Sequence, residues 1–167
     1  MPAAQFVSGA LLAVAFSAFA LPAIADEAQL ARGRYLVTIM DCAGCHTPLG
    51  PEGMPDMAMA LQGANYGFEL PGLGTFVPPN ITPDVETGIG AWSEAEIIAA
   101  VTTGVRPDGR ILVPFMPYLS YAALTPEDAA ALAAYLKSIP AVSYEAPGPW
   151  GIGEKPTVPF FRVTMPE

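Results

Sequence analysis

Two cysteines and the chain's single histidine fall within five residues, Cys42-Ala43-Gly44-Cys45-His46. This C-x-x-C-H spacing is the attachment pattern of a c-type haem. On one helical turn, cysteines three apart project to the same side and can reach the two vinyl groups of one porphyrin. The following histidine then presents its imidazole to the iron as an axial ligand. Three other chemistries use part of this pattern. A thioredoxin-like dithiol requires βαβ patterning around the motif, and none is present. A structural zinc site requires about four N or S ligands, more than two cysteines and one histidine supply. A Cys42–Cys45 disulfide leaves His46 without a role.

An iron that only passes electrons usually keeps a second axial ligand, methionine or histidine. With no other histidine, methionine is the candidate. Met116 lies in Pro114-Phe115-Met116-Pro117-Tyr118, where two prolines stiffen the loop and reduce the entropy a bound thioether has left to lose. Met54, Met57 and Met59 are rivals in a loop without such a frame. Met40 precedes the motif on its own helix, and Met165 is in the tail. Ordinary core packing is the alternative role for any of them.

The elements that must position these residues are mostly helical. Residues 27 to 41 read as a helix with Leu30, Val37 and Met40, together with Tyr35 and Ile39, on its apolar face, and with Gly33 inside it. Residues 47 to 90 are rich in Gly and Pro, with short strands or a hairpin expected between Ala64 and Pro78. An irregular stretch of that length implies something to wrap. Residues 93 to 103 form a second helix, opened by a Ser93/Glu96 capping box and closed by Gly104. Trp92 and Ile97 can form its hydrophobic staple. Pro107-Asp108-Gly109 marks a tight turn. Residues 126 to 138 form the last helix, capped by Thr125, with Leu132, Tyr135, Leu136 and Ile139 on its buried face. A tail with Trp150 and Val158-Pro159-Phe160-Phe161 follows. The phenylalanines there either dock a partner or pack back on the core.

Residues 6 to 24 form an apolar run ending in Ala23-Ile24-Ala25, the small-x-small mark of a secretory signal peptide cut after Ala25. A retained anchor is the alternative. Either way the remainder is expected in an oxidising compartment. The 167 residues carry a formal net charge of −9, and charged residues are only 14%. Such a surface excludes nucleic acid as a partner. It suits a basic patch on a redox protein, or it simply maintains solubility. Asn80-Ile81-Thr82 fits a glycosylation sequon but reads better as a turn. Arg106 and Arg110 are candidates either for haem propionates or for plain surface.

Several further stretches resemble the class I cytochrome c domain, and more closely the cytochrome subunits of bacterial membrane-bound alcohol and sugar dehydrogenases. They are Arg32-Gly33-Arg34-Tyr35-Leu36-Val37 before Asp41-Cys42-Ala43-Gly44-Cys45-His46; Asn80-Ile81-Thr82-Pro83-Asp84; Gly104-Val105-Arg106-Pro107-Asp108-Gly109-Arg110; Met116-Pro117-Tyr118; and Leu124-Thr125-Pro126-Glu127-Asp128 leading to Ala134-Tyr135-Leu136-Lys137. The resemblance implies a mainly α class I cytochrome c fold, wrapped around one covalently bound haem c, with a Gly/Pro-rich loop insertion. The expected layout is a signal peptide at 1–25, the cytochrome domain at 26–142 and a Pro/Gly-rich tail at 143–167. The resemblance also implies thioether bonds at Cys42 and Cys45, iron ligation by His46 and Met116, and a close crossing of the first and last helices near Gly33 and Tyr135. A carbonyl should accept a hydrogen bond from the His46 ring.

The expected function is that of a periplasmic mono-haem carrier. It would pass single electrons from a dehydrogenase to a respiratory-chain acceptor without catalysing a reaction itself. Membrane association would come through a partner or an uncleaved leader. The rival readings are a five-coordinate haem enzyme or sensor, and a permanent cytochrome subunit of a dehydrogenase.

Overall fold

The computed structural model describes Met1, residues 26–164 and Pro166. The leader expected over 1–25 lies outside the described residues beyond Met1, as does Met165. Among the described residues no helix is long and apolar enough to cross a membrane.

Among the described residues five α-helices carry the fold, beside a small sheet. Helix α1 runs Glu27–Ile39, and the Asp26 carboxylate caps it by accepting from the Gln29 amide at 2.7 Å. The short helix α2, Cys42–His46, follows after Asp41, which takes a left-handed φ of 54°. Helix α3 is Glu94–Thr103, and its Ser93/Glu96 capping box is complete in both directions. Such a cap contributes about 1 kcal/mol. Gly104 ends the helix at φ 76°, with the Tyr118 ring packed too closely for any larger residue. Helix α4, Tyr118–Tyr121, is a single turn with no mark in the sequence pattern. Helix α5, Pro126–Ser138, begins with Thr125 accepting from the Asp128 amide at 3.1 Å.

The core forms where α1 and α5 cross, with α3 packed beside α5. Leu36, Val37, Ile97, Leu132 and Leu136 meet there with Leu61 and Ile89. A Cβ at Gly33 would overlap the Ala131 carbonyl and the Tyr135 Cβ, so only glycine allows the two helices to approach this closely. Arg32 ties the same pair at the rim, donating from Nε and Nη2 to the Asp128 carboxylate at 2.7 and 2.9 Å. The buried face of α1 is Gly33, Leu36 and Val37. Tyr35 and Ile39, expected on it, are more than half exposed. Four residues apart, they share one strip of the helix surface, turned away from Gly33 and Val37.

The expected hairpin is present. Strands β1, Gly67–Leu70, and β2, Gly74–Phe76, pair antiparallel with Phe68 opposite Phe76. A third strand, β3, comes from the tail: Phe160–Phe161 lies parallel to Gly67–Phe68, giving the order β2-β1-β3. Trp150 grips the opposite edge through two backbone bonds with Thr75, at 2.8 and 2.9 Å.

Candidate cofactor-attachment site

Cys42, Cys45 and His46 share helix α2, which the αL turn at Asp41 separates from α1. The Asp41 carboxylate folds over Gly44 so closely that a Cβ there would collide with it. Cys42 and Cys45 are free thiols and not a disulfide. Burial pushes the Cys42 thiol up to about 11 and raises that of Cys45 as well. Both are therefore neutral thiols at physiological pH.

His46 is buried, and burial lowers its pKa from the ordinary imidazole value, so the ring is neutral. Its Nδ1 lies 2.7 Å from the Pro79 carbonyl oxygen. A carbonyl can only accept, so Nδ1 carries the ring proton and Nε2 keeps a free lone pair. This is the tautomer that a metal requires of a histidine ligand.

A local frame places that carbonyl. The Gly63 amide donates to His46 O at 2.8 Å, Ala64 N to Pro78 O at 2.9 Å and Ile81 N to Leu61 O at 3.0 Å. Gly63, at φ 100°, has the Asn80 amide nitrogen where its Cβ would stand. Asn80 itself is 2% exposed and fully engaged. Its Oδ1 accepts from Thr82 N and Oγ1 at 2.9 and 2.8 Å. Its Nδ2 donates to Val142 O at 2.7 Å and to Thr87 Oγ1 at 3.1 Å. The sequon reading of Asn80 therefore gives way to the turn reading, because the amide faces inward and is occupied.

Met116 lies between α3 and α4 and is half-buried. Its amide donates to Val113 O at 3.0 Å, and Tyr118 N donates to Met116 O at 2.8 Å. The segment is tied to the end of α1, two residues before the attachment helix, through Tyr121, whose Oη donates to Met40 O at 2.8 Å. Burial, with Cys42 and Cys45 nearby, pushes the Tyr121 phenol up to about 12. Met54, Met57 and Met59 are 68%, 64% and 38% exposed, and Met40 packs against the core.

Two features in this region escape sequence reasoning. Tyr66, just before β1, donates from Oη to Gly44 O of α2 at 2.9 Å. The Arg106 guanidinium lies over the Trp92 ring, 5.1 Å from its centroid. Its Nε is buried and makes no hydrogen bond, although Asp108 Oδ2 stands 3.5 Å away. A buried guanidinium nitrogen without a partner is rare and expects an anion.

These residues fit a haem c. Two free thiols share a helix with an imidazole whose metal-binding nitrogen is available, and the Arg106 Nε, ion-paired to Asp108 at 3.5 Å, keeps a hydrogen bond to give to a propionate. Arg110, the other propionate candidate, instead donates from Nε to Asp108 Oδ2 at 3.0 Å on the surface.

Comparison with known proteins points the same way. The family model described as cytochrome c matches residues 30–140. The cytochrome c subunit of the quinone-dependent alcohol dehydrogenase of Gluconacetobacter polyoxogenes is 39% identical over 133 residues, covering 78% of this chain and 26% of that protein. The gluconate 2-dehydrogenase cytochrome c subunit of Pantoea cypripedii is 40% identical over 129 residues, with 75% and 27% covered. The fructose dehydrogenase cytochrome subunit of Gluconobacter japonicus is 37% identical over 115 residues, with 69% and 22% covered. The chain thus spans about a quarter of the length of these relatives.

Proposed function

The chain belongs to the cytochrome c family, and from that premise we propose that it is a periplasmic mono-haem c-type cytochrome. In this reading it carries single electrons from a periplasmic or membrane-bound dehydrogenase to a respiratory-chain acceptor. Haem c, once bound, supplies a one-electron iron couple. Cys42 and Cys45 would hold it through two thioethers, His46 through Nε2 and Met116 through its thioether.

The observation that carries the reading is the Nδ1–H···O bond from His46 to Pro79. It fixes the ring orientation and raises the electron donation of the other nitrogen in both oxidation states. The exposure of Met54 and Met57 supports Met116 as the second ligand, since an axial thioether must be shielded from water. Arg106, held over the Trp92 ring, would neutralise a haem propionate. A ligand set that stays the same on reduction keeps structural reorganisation small.

The names of the relatives favour a second reading, a cytochrome subunit fixed permanently to a dehydrogenase. Purification of the native protein without tags separates the two. A carrier elutes alone, whereas a subunit elutes with its dehydrogenase.

The ligand set is tested in a host competent for haem attachment. The expected product carries one covalent haem by mass and shows a methionine-to-iron charge-transfer band when ferric. Met116→Ala should abolish that band, and Met57→Ala should preserve it. A wild type that is high-spin ferric at neutral pH would overturn the carrier reading in favour of an enzyme or sensor.

A further inference from the structure

Three aromatic rings form a continuous stack beside Met116. Phe115, the residue before it, lies face to face with Phe68, centroids 4.3 Å apart and planes 26° apart. Phe68 lies in turn on Phe161 of the tail, at 5.5 Å and 21°. Tyr66 meets the edges of Phe68 and Phe161 at 5.6 and 5.7 Å, while its hydroxyl holds the Gly44 carbonyl on the attachment helix. The tail ring is therefore coupled to the Met116 loop on one side and to the Cys42–His46 helix on the other.

The tail is fixed independently of that loop. Gly67 N donates to Pro159 O at 2.9 Å, and Arg162 Nε donates to Glu69 Oε2 at 2.8 Å. The loop has few anchors of its own. Pro114 and Pro117 have no amide to donate. The backbone bonds of Met116 and Tyr118 close within the loop. The hydrogen bonds that tie the loop to the body among the described residues flank it, from Leu112 N to Gly104 O and from Tyr121 Oη to Met40 O, both at 2.8 Å. Between these ties the Tyr118 ring packs against Gly104, and the Phe115–Phe68 stack is the contact made by the residue adjoining Met116.

We infer that Phe68 and Phe161 are positioning residues for Met116: the stack fixes Phe115, and Phe115 fixes the neighbouring thioether. The C-terminal segment thereby sets how readily the second axial ligand leaves. The inference rests on the reading of Met116 as that ligand.

The test uses the full chain with its haem attached, in the ferric state. Imidazole is titrated in to compete with Met116. Phe161→Ala and Phe68→Leu should raise the apparent imidazole affinity about three- to tenfold, the size of one lost stacked pair. Phe161→Tyr, which keeps the ring, should stay within about twofold of wild type. Phe160→Ala removes a ring that lies under Arg162, 5.2 Å from its guanidinium carbon and outside the stack, and should change nothing. Amide exchange gives a readout that does not depend on the iron. The Met116 N–H should exchange faster in Phe161→Ala, while those of Leu132 and Leu136 in α5 keep their rates. If Phe161→Ala does not retain haem, Phe161→Leu carries the same expectation. Unchanged imidazole affinity and unchanged Met116 exchange, with the charge-transfer band intact, would overturn the positioning role and leave the ligand reading standing. Absence of the band in the wild type would overturn the ligand reading itself, and amide exchange would still decide whether the stack holds the loop.

Discussion

The imidazole of His46 and the carbonyl of Pro79, 33 residues apart in sequence, are joined by a 2.7 Å hydrogen bond that decides which ring nitrogen is free. That carbonyl belongs to the segment whose inward anchor is Asn80.

Asn80→Ala should therefore act on stability and on the iron together. It strips partners from the Thr82 amide and the Val142 carbonyl, at a cost of about 2–3 kcal/mol. Urea denaturation should show a lower midpoint. A looser Pro79 carbonyl makes the imidazole a weaker donor, so the reduction potential of the haem-loaded variant should move upward. A potential that stays at the wild-type value would mean that Asn80 has no part in orienting the carbonyl.

Arg106→Gln removes a partly buried cation, paired with Asp108 at 3.5 Å, whose Nε has no hydrogen-bond partner among the described residues. A positive charge beside the haem favours the reduced state. Its loss should lower the potential by on the order of 40–50 mV, the one-electron equivalent of about 1 kcal/mol of charge interaction at an intermediate dielectric. Arg110→Gln, on the exposed side of the same turn, should shift it much less. Equal shifts in redox titrations of the two variants would remove Arg106 from the site.

Gly33→Ala forces a Cβ into the Ala131 carbonyl where α1 and α5 cross. The helices must separate, at a cost of about 1–3 kcal/mol. For a domain of this size the melting temperature should fall by on the order of 5 °C. Ala28→Gly, at an exposed position of the same helix, measures with reversed sign the helix propensity that Gly33→Ala gains and that partly offsets the clash.

The Arg32–Asp128 pair gives a stability contribution with a defined sign in pH. The hydrogen bond from Arg32 holds the Asp128 carboxyl below its ordinary 3.8. A carboxyl lowered in the folded state contributes stability above its unfolded pKa and loses it as pH falls through the folded one. Asp128→Asn should melt slightly below wild type at neutral pH. The gap should close in acid and vanish below the folded pKa. Because the pair is partly exposed, high salt should narrow the gap too.

Much of this arrangement is legible from local pattern. The Cys42-x-x-Cys45-His46 spacing, the Ser93/Glu96 box and the Thr125-Pro126 start are written within a few neighbouring residues. Gly33 shows as a glycine in an otherwise good helix. Other features carry no such mark. The acceptor for His46 is a backbone oxygen, and every residue has one, so no residue type singles out Pro79. Strand β3 is two residues long and pairs with a segment more than ninety residues earlier, too short for alternation to show. The α1 face departs in part from its periodicity because Gly33, Leu36 and Val37 define the buried stripe, while Tyr35 and Ile39, four apart, share a strip turned away from it. The partnerless Arg106 Nε depends on a burial that composition does not encode.

The sheet is completed by a strand that follows the attachment helix by more than a hundred residues. On the proposed reading the chain is exported amino end first, so Cys42 and Cys45 would reach the enzymes that couple porphyrin to sulfur before Pro79, Tyr121 or Phe161 is outside the membrane to cover them. The order of residues along the chain would then give ligation an early interval of open access, closing only as the later segments arrive.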